Sequence, residues 1–281
     1  VNNKQTAPFF KQMSSEKHAS IRQAAARGMG VLPKSEYEPL LVKMTRDSDT
    51  EVRKTATRSL HAYKTNSAIE ALSEVFKDAE LLNQKAAVES LMHLSTQVDI
   101  STIVSKHING RLSGQRRWSA HILGNLTKKI YTNAIDAALF KEKDADAKSQ
   151  QIYALGQFKH RLDTKLVTTL SKDNSSRVRG ALMTYIGKIN DQKLFPFIHN
   201  AAVKDHANDV RGAALTACGN NGSPWFNKTL IHIMYDLDIN KPRNSMDRAC
   251  ASWATGKIRG LDKKMYDQMK LFIQKPMIPM E

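Results

Sequence analysis

The sequence predicts an all-α fold: a right-handed α-solenoid of about eight stacked helical hairpins, closed by a C-terminal capping helix. The main observation is a phrase that returns along the 281 residues: an aliphatic residue, a basic residue, small residues, then an apolar residue and often glycine. A second observation is that alternating apolar and polar residues, which indicate strands, are rare. The basic positions step by 31, 32, 31, 32, 31, 32 and 37 residues and are Arg22, Arg53, Lys85, Arg116, Lys148, Arg179, Arg211 and Arg248.

Each repeat is expected to contain a helix that begins at the aliphatic and basic pair. With the basic residue at position zero, apolar residues at −1, +3 and +7 share one side of a helix. Small residues at +2 and +3, such as Ala24-Ala25, would let neighbouring helices approach closely. We expect the glycine at +8 to take the left-handed conformation that ends a helix. These glycines are Gly30, Gly124, Gly156, Gly187, Gly219 and Gly256.

A second amphipathic segment precedes each of these helices and predicts the first helix of a hairpin. The earliest begins near Thr6-Ala7-Pro8, with threonine as cap and proline in the first turn. An acidic residue at −6, as in Glu16, Asp47, Glu142, Asp173 and Asp205, falls in the turn between the helices and can cap the second one. We assign residues 1–281 to one array, with repeats at approximately 9–30, 36–61, 67–93, 98–124, 132–156, 163–187, 192–219 and 225–256, and a cap at 261–274.

This unit resembles the HEAT repeat, in particular the short form of about 30 residues found in phycobilisome-lyase-like proteins. The resemblance covers roughly residues 9–258. It implies a ladder of acids and arginines that joins successive repeats, with structural roles for Asp47 with Arg53, Asp173 with Arg179 and Asp205 with Arg211. Repeats three and four depart from the pattern at Gln84-Lys85 and Gln115-Arg116 and show no acid at −6, so we expect irregular curvature there.

The chain is strongly basic, with 43 Lys and Arg, 27 Asp and Glu, and a formal net charge of +16. The excess is spread over both halves, which favours anionic partners for the whole array. No apolar run approaches the roughly 18 residues of a membrane span, so we expect a soluble protein without membrane insertion. Its compartment is undetermined, since Val1 marks either a processed terminus of an exported protein or the start of an excised domain. Cys218 and Cys250 are expected to be buried free thiols.

A candidate binding surface follows from the stacking of the second helices. Positions +1, +5 and +9 should point away from the core and line a concave groove. We expect this groove to be basic and polar and to contain no carboxylate, which argues against hydrolase or glycosidase chemistry. Among the tryptophans we expect Trp118 in the core and Trp225 in packing, with Trp253 exposed. The candidate residues are Arg27, Lys54, Arg58, Arg117, His121, Asn125, Tyr153, Lys188, Trp253 and Lys257.

Metal and cofactor sites are not predicted. His61 and His93 occupy the same position of adjacent repeats, but helices stacked about 8–10 Å apart should keep them from sharing one ion. No HxxxH, HExxH or CxxC motif occurs, and no histidine is followed by glutamate as in HEAT-type hydroxylases. The segment before repeat eight places Asp236, Asp238, Asn240 and Asp247 at calcium-loop positions, but lysine replaces the required glycine, so an ordinary polar loop is favoured over a calcium site.

The function predicted from these observations is a non-catalytic scaffold that docks a protein partner through a basic concave surface. We expect a monomer, or part of a hetero-complex or of a larger polypeptide. A first alternative is nucleic-acid binding, which the net charge and the groove arginines would suit. A second alternative, implied only by the resemblance, is a bilin-lyase-like enzyme or accessory subunit. Steep salt dependence of binding would separate the nucleic-acid interpretation from a shape-specific protein interface.

Overall fold

The computed structural model describes residues 6–235 and 245–258, together with Asp267, and within them every regular element is a helix. The chain divides into two compact units, Val1–Ala154 and Leu155–Glu281. The helices that begin in unit 1 are α1 Thr6–Met13, α2 Ala19–Val31, α3 Glu38–Met44, α4 Thr50–Ser59, α5 Asn66–Glu74, α6 Leu81–Ser95, α7 Ser101–Ser105, α8 Ser113–Asn125, α9 Thr132–Lys141 and α10 Ala145–Gln157. Those of unit 2 are α11 Thr164–Leu170, α12 Ser176–Ile189, α13 Phe195–Lys204, α14 Asn208–Asn221, α15 Asn227–Tyr235 and α16 Ser245–Lys257.

Within each unit the helices alternate as the two arms of successive hairpins, so the predicted all-α solenoid fold is confirmed. Second helices pack on second helices, as α2 on α4 and α4 on α6 in unit 1, and α12 on α14 and α14 on α16 in unit 2. The small and aliphatic positions form the core, since Ala25, Val52, Ala56, Val210 and Ala214 are fully buried. The predicted cap at 261–274 lies outside the described residues apart from Asp267, and a single uninterrupted array stays a prediction.

The repeated glycines have a different role from the predicted one. Gly30, Gly124, Gly187 and Gly219 lie inside helices, and in the part of the chain that the structure describes the left-handed residues are Thr127, Lys159, Asn190 and Gly222. The prediction of C-cap glycines at +8 is therefore wrong. A Cβ atom on Gly124 would lie 2.9 Å from Cα of Ala154, and one on Gly187 would lie 3.2 Å from Cα of Ala217. Gly30, Gly124, Gly187 and Gly219 are thus sites where the chain lies very close to a neighbouring helix.

Most acids of the inter-helix turns accept a hydrogen bond from the backbone N–H two residues ahead. Asp47 accepts from the N–H of Asp49 at 2.9 Å, and Asp205 accepts from the N–H of Ala207 at 2.9 Å. The acidic side chain therefore orders the turn. The sequence had suggested that it caps the second helix directly, which it does not. In repeat two the cap is Asp49, whose carboxylate accepts from the N–H groups of Glu51 and Val52.

The arginine at position zero joins two repeats. Nη1 of Arg53 donates to the carbonyl oxygens of Asp47 and Ser48 in its own turn, while Nε and Nη2 donate to the Asp78 carboxylate of the next turn. The side chain of each arginine is thus paired with the carboxylate of the following repeat. The side-chain pairs that the resemblance implied are wrong; these were Asp47 with Arg53, Asp173 with Arg179 and Asp205 with Arg211. We call these bridges the arginine ladder; its pairs are Arg22–Asp47, Arg53–Asp78, Arg116–Glu142, Arg179–Asp205 and Arg211–Asp247.

The two cysteines differ in burial. Cys218 is fully buried in α14, and burial raises the pKa of its thiol to about 12. A thiol held in the protonated form is a poor nucleophile. Cys250 is only half-buried, so the prediction of two buried thiols is confirmed for Cys218 alone.

Candidate docking surface

Repeat three has a register one residue earlier than the sequence indicated. Nε2 of Gln84 donates to the carbonyl oxygen of Asp78 at 2.6 Å, the same turn contact that the ladder arginines make in their own repeats. Position zero is therefore Gln84 and not Lys85, and Asp78 is the acid at −6 that repeat three was expected to lack. This shift moves Glu89 to position +5, on the side of α6 that points away from the core, where it is exposed.

The outward side of the second helices in unit 1 is the candidate docking surface, which we call the second-helix face. It is defined by the outward positions of α2, α4, α6, α8 and α10, all of them exposed or half-buried. These residues are Arg27, Lys54, Arg58, Lys85, Glu89, Arg117, Trp118, His121, Asn125 and Tyr153.

The centre of this face is aromatic. The ring of Trp118 meets His121 edge-on with centroids 5.8 Å apart, and His121 stacks on Tyr153 at 6.1 Å with an interplanar angle of 20°. Trp118 is half-buried, so its predicted place in the core is wrong. The cluster is held by polar contacts: Nδ1 of His121 lies 2.9 Å from Oε1 of Gln150, and the Tyr153 hydroxyl donates to Oδ1 of Asn125 at 3.3 Å.

Arg117 is fixed against this cluster. Its guanidinium lies 4.4 Å from the centroid of the Trp118 ring, a cation–π contact. Nη2 donates to Oε1 of Gln84 at 2.8 Å, and Nη1 donates to Oδ2 of Asp146 at 3.1 Å. The same Gln84 oxygen accepts from Nε1 of Trp118 at 2.8 Å. Glutamine at position zero of repeat three therefore positions both Arg117 and Trp118 from the neighbouring helix.

Two other cations of the face, Lys54 and Arg58, lie beside carboxylates. Lys54 pairs with Glu51, and a guanidinium nitrogen of Arg58 lies 3.8 Å from the Glu89 carboxylate. The expectation of a groove without carboxylates is therefore wrong, because Glu51 at position −2 and Glu89 at the corrected position +5 lie beside these cations. Arg27 is exposed near the first repeat. The face has mixed charge around an aromatic centre.

In unit 2 the candidate residues are described separately. Lys188 donates to Oε1 of Gln157 at 2.5 Å, and burial lowers the pKa of its ammonium group. It borders a cavity of about 580 Å³ that Thr184, Thr216 and Asn220 also line. Trp253 is 44% exposed, and the Lys257 ammonium lies 5.8 Å from its ring centroid. The exposure predicted for Trp253 is confirmed, while the structure does not bring it together with Lys188 into one site.

Residues 6–92 match the family model of HEAT repeats. Within this segment the chain carries HEAT repeats. The match supports HEAT repeats in general, and it does not distinguish the short phycobilisome-lyase form that the resemblance implied. No curated protein sequence matches the chain significantly.

The solved structures of YibA and Kap121p support the same fold at low sequence identity. The X-ray structure of YibA from Escherichia coli is 13% identical, with 92% of this chain and 93% of that chain covered and a TM-score of 0.56. Kap121p bound to RanGTP is 11% identical, with 96% of this chain but only 35% of that chain covered and a TM-score of 0.51. The CpcE–CpcF phycocyanin lyase complex from Nostoc sp. PCC7120 aligns at 16% identity over 92% of this chain and 97% of that chain, with a TM-score of 0.40.

The structure changes the interpretation of two candidate metal sites. The rings of His61 and His93 have centroids 5.0 Å apart, so the distance argument that kept them from sharing an ion is wrong. Of the calcium-loop residues, Asp236, Asp238 and Asn240 lie outside the described residues. Asp247 is buried and pairs with Arg211 at 2.7 Å, which gives its carboxylate a place in the arginine ladder. Among the described residues, no group of three or more His, Cys, Asp or Glu side chains is arranged to hold a metal.

None of the described helices combines the length and the apolar composition that a bilayer crossing requires.

Proposed function

We propose that this HEAT-repeat chain is a non-catalytic module that docks a protein partner through the second-helix face, the surface expected to be concave. The observation that carries the proposal is the ordered cluster of Arg117, Trp118, His121 and Tyr153. Tryptophan, tyrosine and arginine are the residues most enriched among interface hot spots, and a polar rim normally surrounds them. Here each ring is already held in place, so little side-chain entropy remains to be lost on binding.

The charge pattern favours a protein over a nucleic acid. The net charge of +16 supports nucleic-acid binding as the second candidate. On the second-helix face, however, Lys54, Arg58 and Arg117 each lie beside a carboxylate. A phosphate backbone that approached these cations would also meet Glu51, Glu89 and Asp146. A mixed surface of this kind suits a partner with its own pattern of both charges.

The fold supports the proposal at a coarser level. Kap121p, which shares the helical architecture at a TM-score of 0.51, is seen bound to the protein RanGTP. Stacked helical repeats create extended surfaces of the kind that proteins use as partner sites. For this chain, the class of partner (a protein) and the position of its site are both proposals.

The test places a photo-crosslinking amino acid at Asn125, which is exposed beside the aromatic cluster. The matched control carries it at Phe140, which is 79% exposed on α9 in the same unit. We expect a discrete protein adduct from Asn125 in cells of the native source, and its loss when Trp118→Ala is added. Equal adducts from both positions, or an adduct that survives Trp118→Ala, would contradict the proposal.

A second measurement tests whether the chain binds nucleic acid. Binding of the purified chain to labelled random-sequence duplex and single strands is titrated from about 50 to 200 mM salt, the range over which phosphate contacts lose most affinity. We expect weak binding throughout. Tight binding with a steep salt slope, removed by Arg27→Glu with Arg58→Glu, would replace the protein-docking proposal.

A further inference from the structure

Two exposed histidines meet on neighbouring repeats of unit 1, outside the aromatic cluster. His61 lies in the short turn that follows α4, and His93 lies in the last turns of α6. Their ring centroids are 5.0 Å apart and their planes meet at 85°. The pair takes no part in the arginine ladder or in the contacts that hold Trp118 and Tyr153.

The separation of the two rings is the one that shared ligation of a metal ion requires. A Zn–N bond of about 2.0–2.1 Å places an imidazole centroid about 3.2 Å from the ion. Two such rings at a tetrahedral angle have centroids about 5.2 Å apart, whatever the angle between their planes. The 5.0 Å found for His61 and His93 agrees with this value.

Hydrogen bonds assign the nitrogen atom that each ring would offer. Nδ1 of His61 contacts the carbonyl oxygen of Arg58, which can only accept, so Nδ1 carries the proton and Nε2 carries the lone pair. A bond from the second ring nitrogen to a backbone carbonyl is the usual support of a metal-bound histidine. Nε2 of His93 lies 3.4 Å from the amide nitrogen of Gln97, a weak contact in which Nε2 is the acceptor.

We propose that Nε2 of His61 and Nε2 of His93 form a two-histidine site for a divalent transition-metal ion such as Zn²⁺. Imidazole ligands suit Zn²⁺, Cu²⁺ and Ni²⁺ and are poor ligands for Mg²⁺ or Ca²⁺. No third His, Cys, Asp or Glu completes the site among the described residues, so water fills the remaining positions. On binding, the ion replaces the Gln97 contact of His93.

The experiment titrates the purified full chain with Zn²⁺ by calorimetry and follows the imidazole signals by NMR. We expect saturable binding at one ion per chain, with the signals of two of the nine histidines shifted. His61→Gln and His93→Gln should each weaken binding at least about tenfold, because even loss of an outer hydrogen-bond partner of a metal ligand costs 10–100-fold. His18→Gln, at an exposed position distant in sequence, should leave the affinity unchanged.

Three further results separate a built site from loose surface binding. Mg²⁺ should not compete with Zn²⁺, and acidification should weaken binding because the ligating imidazoles must be deprotonated. Circular dichroism should show all three variants folded, since His18, His61 and His93 are all exposed. Absence of Zn²⁺ binding, unchanged affinity in His61→Gln or His93→Gln, or an equal loss in His18→Gln would overturn the proposal.

Discussion

Arg179 and Asp205 form a two-point ion pair between consecutive repeats of unit 2. Nε of Arg179 donates to Oδ2 of Asp205 at 2.8 Å, and Nη2 donates to Oδ1 at 2.9 Å. Only 6% and 10% of the two side chains are exposed. Nη1 of the same arginine donates to the carbonyl oxygen of Asp173 at 2.8 Å, so one guanidinium fastens two turns. Planar arginine suits this role because its donors form a rigid fork.

Asp205→Ala should destabilise the chain strongly. The change leaves the buried Arg179 guanidinium without its counter-charge, and breaking one side of a buried pair costs about 3–5 kcal/mol. Chemical denaturation measures the effect. Arg161→Ala is the matched control, because Arg161 is 77% exposed, lies 3.7 Å from Asp191, and should cost at most about 1 kcal/mol. Equal losses in the two variants would show that the ladder does not stabilise unit 2.

The ladder also predicts a loss of stability in acid. The hydrogen bond from Arg22 lowers the pKa of Asp47 against the opposing effect of burial. A folded-state pKa below the unfolded value stabilises the protein above the unfolded pKa, and the stabilisation is lost as the pH falls through the folded pKa. The free energy of unfolding should therefore decrease from about pH 5 downward.

Asp47→Asn isolates this contribution. The variant should be less stable than the parent at neutral pH, and its stability should fall less steeply in acid, because the amide that replaces the carboxyl group does not titrate. The two curves should converge once Asp47 of the parent is protonated. Denaturation at a series of pH values measures both curves, and parallel curves over the whole range would refute the assignment.

Two glycines of unit 2 should respond to alanine in opposite directions. A Cβ on Gly187 would lie 2.9 Å from Cβ and 3.2 Å from Cα of Ala217, whereas a Cβ on Gly212 would meet nothing within 4 Å. Gly212→Ala should stabilise α14 by about 0.5–1 kcal/mol through helix propensity. Gly187→Ala should destabilise by about 1–3 kcal/mol through overpacking. Thermal unfolding of both variants tests the prediction, which fails if Gly187→Ala is also stabilising.

The aromatic cluster should account for most of the partner affinity. Trp118→Ala or Tyr153→Ala should raise the Kd for the captured partner by about thirtyfold or more, the effect of losing a hot spot of about 2 kcal/mol. Arg58→Glu should instead change mainly the association rate and its salt dependence, since Arg58 is an exposed rim cation. Surface plasmon resonance separates these effects. Insensitivity to both aromatic variants would place the docking site elsewhere.

A double charge reversal at Arg58 and Arg117 would not isolate the role of charge on this face. Arg58→Glu changes an exposed residue, but Arg117→Glu would place a carboxylate beside Asp146 and remove the cation above Trp118. Loss of binding in that double variant would mix electrostatics with a local rearrangement. The single variant Arg58→Glu avoids this ambiguity.

The helical hairpins could be predicted from the sequence because their determinants are local. Aliphatic, basic and small residues recur in steps of 31 or 32 residues, apart from a last step of 37, and in most copies the apolar positions fall on one side of a helix. The same local pattern indicated the turns and the outward positions of most second helices. It placed Arg27, Arg58, His121 and Tyr153 on one helix side, where the structure has them exposed or half-buried.

What the sequence by itself determined was therefore the period, the helices and their buried side, all of which depend on residues within one turn or one hairpin. Only the tertiary structure decided which acid each arginine binds, because Arg53 reaches Asp78 across 25 residues and not the nearer Asp47. It also decided the register of repeat three, where the Gln84 amide makes the turn contact of an arginine. The contacts of Gln84 with Arg117 and Trp118, and of His61 with His93, likewise depend on how side chains from adjacent helices or turns meet, which the repeat pattern does not specify.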